Sequence, residues 1–554
     1  MWKVFEANTE NRAGIISFIN ASSYLRGPGF AGMRKVMRQT FDELWIIDLE
    51  GDNLGARKTE NVFVIQTPVA IAIGVCYNQP QPEIPAKVHF TRIDGTTEEK
   101  LASLENIHSF QDLQWQECST NWTDLFLPVS DTDYGNWAKL TDLFPWQENG
   151  IQFKRKWTIG ENKEVLQERW KTLINASKSP GTQKKLFKET DAKKISKQYP
   201  SLEDRGNLLA PIANLLSKDL PVEPIRYAYR SFDRQWALLD NRLCDRPRPS
   251  LRSSYGNQQV YLTSLLSEVL GDGQSAVVTS LLPDLHHFRG SFGGKHIIPL
   301  WRNSEATEPN ITTGVLEILS NTLNYNISPK DFFAYCYGIL ATPKYVKEFW
   351  HELETPGPRI SITKNRDLFI KVVETGRTLV WLHTYCERFV PSGKKPGKIP
   401  VGRVRCQKGI PNTVNDYPTE FSYDVGTQEL KVGLGVFENV RPEVYNFSVS
   451  GLEVVKSWLA YRMRDGAGKK SSPLDDIRPQ TWQFDHELLD LFWVLDATVD
   501  LSPSLSSLFD EVIKSELFTS TEFPQPTELE KSNSLEVKSE LPFLNLEEVD
   551  EEDE

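Results

Sequence analysis

Arginine and lysine are the residues of this chain whose types and spacing could do chemistry. "YAYRSFDRQW" places Arg230 and Arg234 among aromatics, and "DRPRP" sets Arg246 and Arg248 in a stretch that Pro247 and Pro249 keep out of helix. "FKRKW" offers Lys154, Arg155 and Lys156, and "GKKPGKIPVGRVR" offers Lys394, Lys395, Lys398, Arg403 and Arg405 on a loop leading into a strand. A guanidinium donates two parallel hydrogen bonds from a planar fork, which suits phosphate oxygens and the O6/N7 edge of guanine, whereas an ammonium is a point charge. As a group these residues make a nucleic-acid-facing surface the expectation. Taken singly, each also fits a solvated or ion-paired surface. Arg230 with Asp233 fits equally well an internal ion pair within the aromatic cluster of Tyr227, Tyr229 and Phe232.

Other chemistry is hard to find. "GSFGGK" (290–295) has glycines and a lysine without the spacing of a phosphate-cradling loop, and reads as a turn. His286 and His287 are adjacent and read as loop or core residues; G-x-S-x-G does not occur. The six cysteines (76, 118, 244, 336, 386 and 406) form no CxxC pair and read as reduced core thiols of a cytosolic protein rather than zinc ligands or disulfides. We assign no catalytic residue and no metal ligand.

Net charge looks at first like an argument against nucleic acid, but the total of −12 is uneven. Residues 515–554 carry 13 acidic and 2 basic residues, a net of −11, which leaves −1 for residues 1–514. Residues 151–260 hold 22 Lys/Arg against 12 Asp/Glu, and residues 388–409 hold seven basic residues and no acidic one. Local basic surfaces of this size suit a polyphosphate backbone or a solvated face paired with acids elsewhere.

The elements that must position these residues come in four parts. At 554 residues the chain is long enough for about three folded units, and no apolar run reaches the roughly 18 residues needed to cross a bilayer. The N-terminus lacks a signal-peptide core, so a cytoplasmic location is expected. Residues 14–77 alternate strand and helix: "GIISFI", a helix over about 28–41, "LWIIDLE", "NVFVI" and "VAIAIGVCY". "WIIDL" and "VAIAIGV" are near-continuous apolar runs of the kind buried on both faces of a sheet. Residues 161–385 mix helices with short strands, including an amphipathic "NKEVLQERWKTLI" and a helix start at Ser-Pro-Lys-Asp before "FFAYCYGIL". Gly/Pro-punctuated strands follow to about 512, with helices in "VSGLEVVKSWLAYRMRD" and "HELLDLFWVLDATVDL", and then a Glu/Ser/Pro-rich tail expected to be disordered.

Residues 14–76 resemble the second half of the catalytic domain of gamma-class adenine-N6 DNA methyltransferases. The matching features are the strand Gly14 to Ile19, the Ser23-Tyr24-Leu25 turn, the Arg34-Lys35 pair on a helix, a strand ending in Asp48-Leu49, and Val62-Phe63 before the last hairpin. Downstream, "YRSFDRQWALLDNRLCDRPRP", "HHFRGSFGGKHIIPLW", "FFAYCYGILATPKYVKEFWHEL" and "ETGRTLVWLHTY" resemble the target-recognition region of Type ISP restriction-modification enzymes. The fold this implies is α/β. It comprises an incomplete Rossmann-like sheet (1–120, the C-terminal half of the methyltransferase domain), a mixed α+β target-recognition region (121–385) with a short-strand and helical continuation (386–515), and an acidic tail (516–554).

The resemblance implies more. In that family a glycine-containing loop and an Asn/Asp-Pro-Pro-Tyr/Phe loop precede the matched strand, and neither occurs in this sequence. That loop accepts the hydrogens of the poorly nucleophilic adenine amino group and stacks on the extruded base. The chain alone is therefore expected to be catalytically silent. S-adenosyl-L-methionine would be bound by a missing half, upstream or on a separate protein partner, with double-stranded DNA as the other partner. Phe63 would pack against the flipped adenine, the alternative being a core residue; Ser23 and Tyr24 would lie near the target base, at the carboxyl edge of the sheet. Without the missing strands, "IISFI" and "WIIDL" would expose apolar surface and an open strand edge. Two functions fit these residues. One is the recognition part of a split, site-specific adenine methyltransferase of a restriction-modification or phage-defence system; the other is a non-catalytic DNA-binding specificity subunit or relic.

Overall fold

Every second residue of "GIISFINA" is apolar or small, and the segment forms strand β1, Gly14–Ala21, in a computed structural model that describes residues 13–52, 55–77, 83–128, 132–176, 179–204, 206–290 and 295–532. The chain divides into two units. One comprises residues 1–135 with 269–271 and 349–356; the other comprises 136–268, 272–348 and 357–554.

The first unit is a five-stranded sheet of β1, β2 (Glu43–Asp48), β3 (Val69–Cys76), β4 (Lys87–Arg92) and β5 (Gln116–Glu117), in the order β1-β3-β2-β4-β5. Helix α1 (Ala31–Thr40) crosses from β1 to β2. Both strands lie antiparallel to β3, which sits between them, and β4 is parallel to β2. One face packs Leu44, Ile46, Ala72, Val88 and Phe90 against Met37 of α1 and Phe41, which follows it. Gly74 is required there, because a Cβ would meet the Phe41 ring at 2.4 Å. On the other face, Ile47, Leu49, Val69 and Ile93 pack with Leu104 of helix α2 (Thr97–Glu105). Beyond them Trp45 stacks between His89 and Phe110, with centroids 3.9 and 4.6 Å away. The apolar run of β2 is covered, contrary to the expectation for "WIIDL". β1 ends the sheet, and its Ile15 and Ile19 are 71% and 43% exposed, as expected for "IISFI". "NVFVI" is not a strand but an exposed loop.

In the second unit, β6 (Ile225–Arg230) and β7 (Asp233–Ala237) form a hairpin that is extended by a short strand at Ile159–Gly160. Its turn holds Phe232 at a φ of 61°, a left-handed conformation that only a packed surround makes tolerable for an aromatic. β8 (Tyr261–Thr263) lies between β9 (Val277–Thr279) and β10 (Lys295–Pro299). Helices α3 (Lys163–Asn175) and α4 (Pro180–Phe187) enclose Trp157, Trp170, Leu173 and Phe187. Asn162 caps α3, its side chain accepting from the Val165 amide at 2.9 Å. Helix α5 (Pro329–Leu340) starts at a capping box of Ser328 and Asp331, as the sequence predicts, and packs on α6 (Arg366–His383). α7 (Asp485–Lys514) runs 30 residues straight through Pro503, well past the end of the apolar pattern that predicts it. Four antiparallel strands, β11 (Arg405–Lys408), β12 (Phe421–Asp424), β13 (Glu429–Val432) and β14 (Gly435–Glu438), make a separate sheet in the order β11-β14-β13-β12.

The acidic tail does not begin at 516. Leu517 bridges Thr363, and Glu530 accepts bonds from the Thr313 amide (2.9 Å) and hydroxyl (2.7 Å), so residues 516–532 belong to the second unit. The remainder of the expected tail, and most of the "GSFGGK" turn, lie outside the described residues.

Candidate nucleic-acid interface

The first unit gathers its chemistry at one edge. β1, β2 and β4 run the same way, so their carboxyl ends meet the start of β3: Ala21 faces Val69, Asp48 faces Ala70, and Arg92 faces Asp48. Such an edge is where α/β sheets place ligands, because the loops leaving the strands diverge there. The exposed loop 62–67 enters β3 at this edge. Phe63 is 47% exposed and Val64 fully exposed, held by a bond from the Phe63 amide to Asn61 Oδ1 (2.9 Å). The Ser22 amide donates to Pro68 O at 2.9 Å, fastening the turn after β1 to this loop.

Ser23 is exposed in that turn, whereas Tyr24 is buried, packed edge-on to Phe126. Burial, reinforced by Asp48, pushes the Tyr24 hydroxyl well above its ordinary pKa, so it stays protonated. Along this one segment Asn20 Oδ1, Ser22 Oγ and Tyr24 Oη are buried without a hydrogen-bond partner among the described residues. A desolvated polar atom left unpaired costs about 1–3 kcal/mol, and three in one segment of strand and turn mark a place where polar groups have been left over. Arg34, half of the Arg-Lys pair, is a brace: its fork donates to the carbonyls of Tyr24 (3.0 Å) and Gly27 (2.8 Å), and its Nε to Thr123 O (3.1 Å).

Sequence reasoning missed the ion network at the same edge. Asp48 pairs with Arg92 (3.1 Å) and Arg26 (3.4 Å), and Glu354 receives both Arg92 nitrogens (2.6 and 2.7 Å), Arg26 (3.4 Å) and Arg57 (3.6 Å). Burial alone would raise the Glu354 carboxyl, but Arg92 outweighs it, with Arg26 and Arg57, and the group is held below its ordinary pKa. Burial lowers Arg57 to about 10, where its guanidinium lies over the Trp350 ring at 3.7 Å. No local pattern could have revealed Glu354, which reaches this edge from a separate part of the chain.

In the second unit the expected DNA-facing residues separate into three groups. Arg155 and Arg230 are in the core. Arg155 is ion-paired with Asp245 and donates to the carbonyls of Phe153 (3.2 Å) and Leu243 (3.1 Å), lying over the Phe187 ring. Arg230 pairs with Asp284 at 2.9 Å, not with Asp233, and stacks on Tyr229 at 3.9 Å. Burial opposes its charge, but Tyr229 and Asp284 more than offset this, and its pKa is raised. Asp233 takes Arg462 instead, at 2.8 Å. Neither fork is turned to solvent.

A second group is partly engaged. Lys156 reaches Ala467 O, and Arg234 pairs with Glu387 (3.2 Å) over the Tyr385 ring (3.6 Å). Arg248, at a φ of 47°, lies 3.9 Å from Glu148. Arg403 pairs with Asp500 (2.7 Å) and Asp496 (3.3 Å), and Arg405 folds back on Val404 O (2.9 Å). The third group is exposed: Lys154, Arg246, Lys394, Lys395 and Lys398. The last three stand on a loop fixed at its base by the Gly397 amide donating to Cys386 O (2.8 Å).

This architecture agrees with the comparisons. The chain belongs to the Type ISP C-terminal specificity domain family, whose model matches residues 142–492. Its fold is similar to that of DrdV in a cryo-EM complex with DNA, with a TM-score of 0.61 at 17% identity over 93% of this chain and 51% of that one. A nuclease-deletion mutant of the Type ISP restriction-modification enzyme LlaGI, in complex with a DNA substrate mimic, matches with a TM-score of 0.57 at 21% identity over 91% of this chain and 39% of that one. The ATP-dependent Type ISP restriction-modification enzyme LlaBIII bound to DNA matches at 0.60 and 19%, over 91% and 33%. The chain thus spans a third to a half of the length of these structures. No curated protein matches it in sequence. Among the described residues no helix is long and apolar enough to cross a membrane.

Proposed function

We propose that this chain is the DNA-binding, sequence-reading part of a site-specific adenine-N6 DNA methyltransferase in a restriction-modification or phage-defence system, completed by another half that binds S-adenosyl-L-methionine and carries the catalytic loop. Membership of the specificity-domain family carries the reading. Three observations support it. Arg246 and the lysines of the 394–398 loop are exposed and outside any ion pair among the described residues, as phosphate or base contacts require. Among the described strands β1 stands at the edge of its sheet with exposed isoleucines, which an additional strand from the other half would cover. Phe63 and Val64 stand exposed on the loop at the carboxyl edge, where a flipped base would be met once the other half completes that edge.

We expect the S-adenosyl-L-methionine pocket to lie in that other half. Ribose hydroxyls call for an acidic side chain at this edge, but Asp48 and Glu354 are already committed to arginines. Phe63 and Ser23 remain our candidates beside the target base; Tyr24 serves from the core as a wall rather than a contact.

Selection from a random duplex pool tests the reading. Full-length chain should enrich one sequence containing an adenine, while calorimetric titration with S-adenosyl-L-methionine shows no one-to-one site. Failure to enrich any sequence at any salt concentration would overturn the assignment of recognition to this chain.

A further inference from the structure

Residues 151–260 hold 22 basic side chains, and the structure shows where that charge is spent. Arginines serve the interior: Arg155 and Arg230 as above, Arg169 on the carbonyls of Ile159 (2.7 Å) and Trp157 (3.1 Å), and Arg242 on Asp240 (2.6 Å). Lysine can be used the same way, as Lys193 is, buried with its ammonium on Asn241 Oδ1 (2.8 Å) and over the Tyr199 ring. Five other lysines are treated differently. Lys184 and Lys185 in the last turn of α4, Lys188 at its C-cap, Lys197 and Lys218 are all exposed, with no ion pair and no ammonium hydrogen bond among the described residues.

The segments that carry them pack into one core. Phe187, Ile195 and Ile212 pack together with Trp170 and Leu173, and the Ala213 amide donates to Ile195 O at 3.1 Å, tying the segments that carry these lysines. Of the nearby carboxylates, Glu189 accepts the Ile195 amide (3.0 Å) and Asp219 the Leu216 amide (2.7 Å), while Asp191 is exposed. A helix C-terminus accounts for cations at 184 and 185. It does not account for Lys197 and Lys218, which lie in loops.

We propose that this lysine cluster is a second DNA-contacting surface, which grips the phosphate backbone without reading sequence. Point charges outside any ion pair among the described residues, with no planar hydrogen-bonding demand, match a polyphosphate, and their gain comes from the counterions it releases. The inference rests on the DNA-recognition reading above and adds a site that reading does not include.

The test uses the full chain carrying Lys184→Gln, Lys185→Gln and Lys188→Gln together, measured by fluorescence anisotropy on the enriched duplex and a scrambled one across a salt series. At about 50 mM salt the variant should lose about tenfold or more on both duplexes alike. Its salt slope should fall by about 2–3, at roughly 0.9 per phosphate contact. The three positions are exposed, so the melting temperature should fall only slightly, by what the helix end loses, and Lys→Arg at all three should restore both. A salt slope within about 0.5 of the parent's would overturn the proposal while leaving the recognition function standing. A parent chain that binds neither duplex would remove both.

Discussion

Arg230 and Arg246 lie sixteen positions apart in one basic stretch and have opposite fates. Arg230 is locked on Asp284 and Tyr229, whereas Arg246 is exposed with its guanidinium unpaired among the described residues. Removing one partner of a buried pair strands the other's charge, so Arg230→Ala should cost about 3–5 kcal/mol in a urea unfolding experiment. Arg246→Ala should leave the unfolding midpoint alone and, if that fork reads a base, cost about 1–3 kcal/mol on the enriched duplex and little on a scrambled one. Equal losses on both duplexes would make Arg246 a phosphate contact. The sequence shows that basic groups are present but not which face inward: Arg155 looks as available as Lys154 beside it, because its partner Asp245 is ninety residues away. Arg230 is half an exception, since its aromatic neighbours announce a cluster, though its acid is Asp284 rather than Asp233.

At the scale of elements, legibility follows locality. β1, α1 and β2 announce themselves by apolar period, and α5 by its Ser-Pro-Lys-Asp start. "NVFVI" reads as a strand and is a loop, because β propensity expresses fit to a pleated, half-buried surface and nothing pairs with this run. Pro343 splits the single run that begins at Ser328 into two helices. The α5–α6 contact is set by a residue whose role no pattern advertises: a Cβ on Gly376 would sit 1.9 Å from the Ala334 carbonyl oxygen. Gly376→Ala must push the two helices apart, and overpacking of this kind costs about 1–3 kcal/mol. The melting temperature of the variant should fall accordingly; an unchanged value would mean that the helices separate without penalty. Gly393→Ala, where a Cβ meets nothing within 4 Å, is a control for space but not for backbone strain, its φ being 79°.

For the whole molecule, two buried histidines govern the response to acid. His287 and His383 are each pushed down to about 3, chiefly by burial. His287 faces Thr263, His296 and Arg230, and His383 faces Tyr337 and Thr498. Their folded pKa lies below the unfolded value of about 6.5, so the unfolded chain binds protons that the folded chain refuses. Their stabilising contribution is complete above pH 6.5 and is lost as pH falls towards 3. Urea midpoints should therefore drop between pH 6.5 and 5, with a slope of up to about 2.7 kcal/mol per pH unit for the pair, less what the carboxyls of Glu50 and Asp490, which burial raises, give back. A flat midpoint over that interval would show that neither histidine stays neutral. A different consequence follows from Glu354, which belongs to the first unit yet stands 262 positions beyond Arg92, its bidentate partner. At synthesis rates of about 5–20 residues per second, Arg92 leaves the ribosome roughly 15–50 s before the carboxylate it waits for. Throughout that interval the sheet carries three guanidiniums against Asp48 and Glu50 alone, and closing so long a loop adds its own entropic delay. The unit whose strands come first along the chain is thus left unfinished until residue 354 has been made, well after its own sheet has emerged.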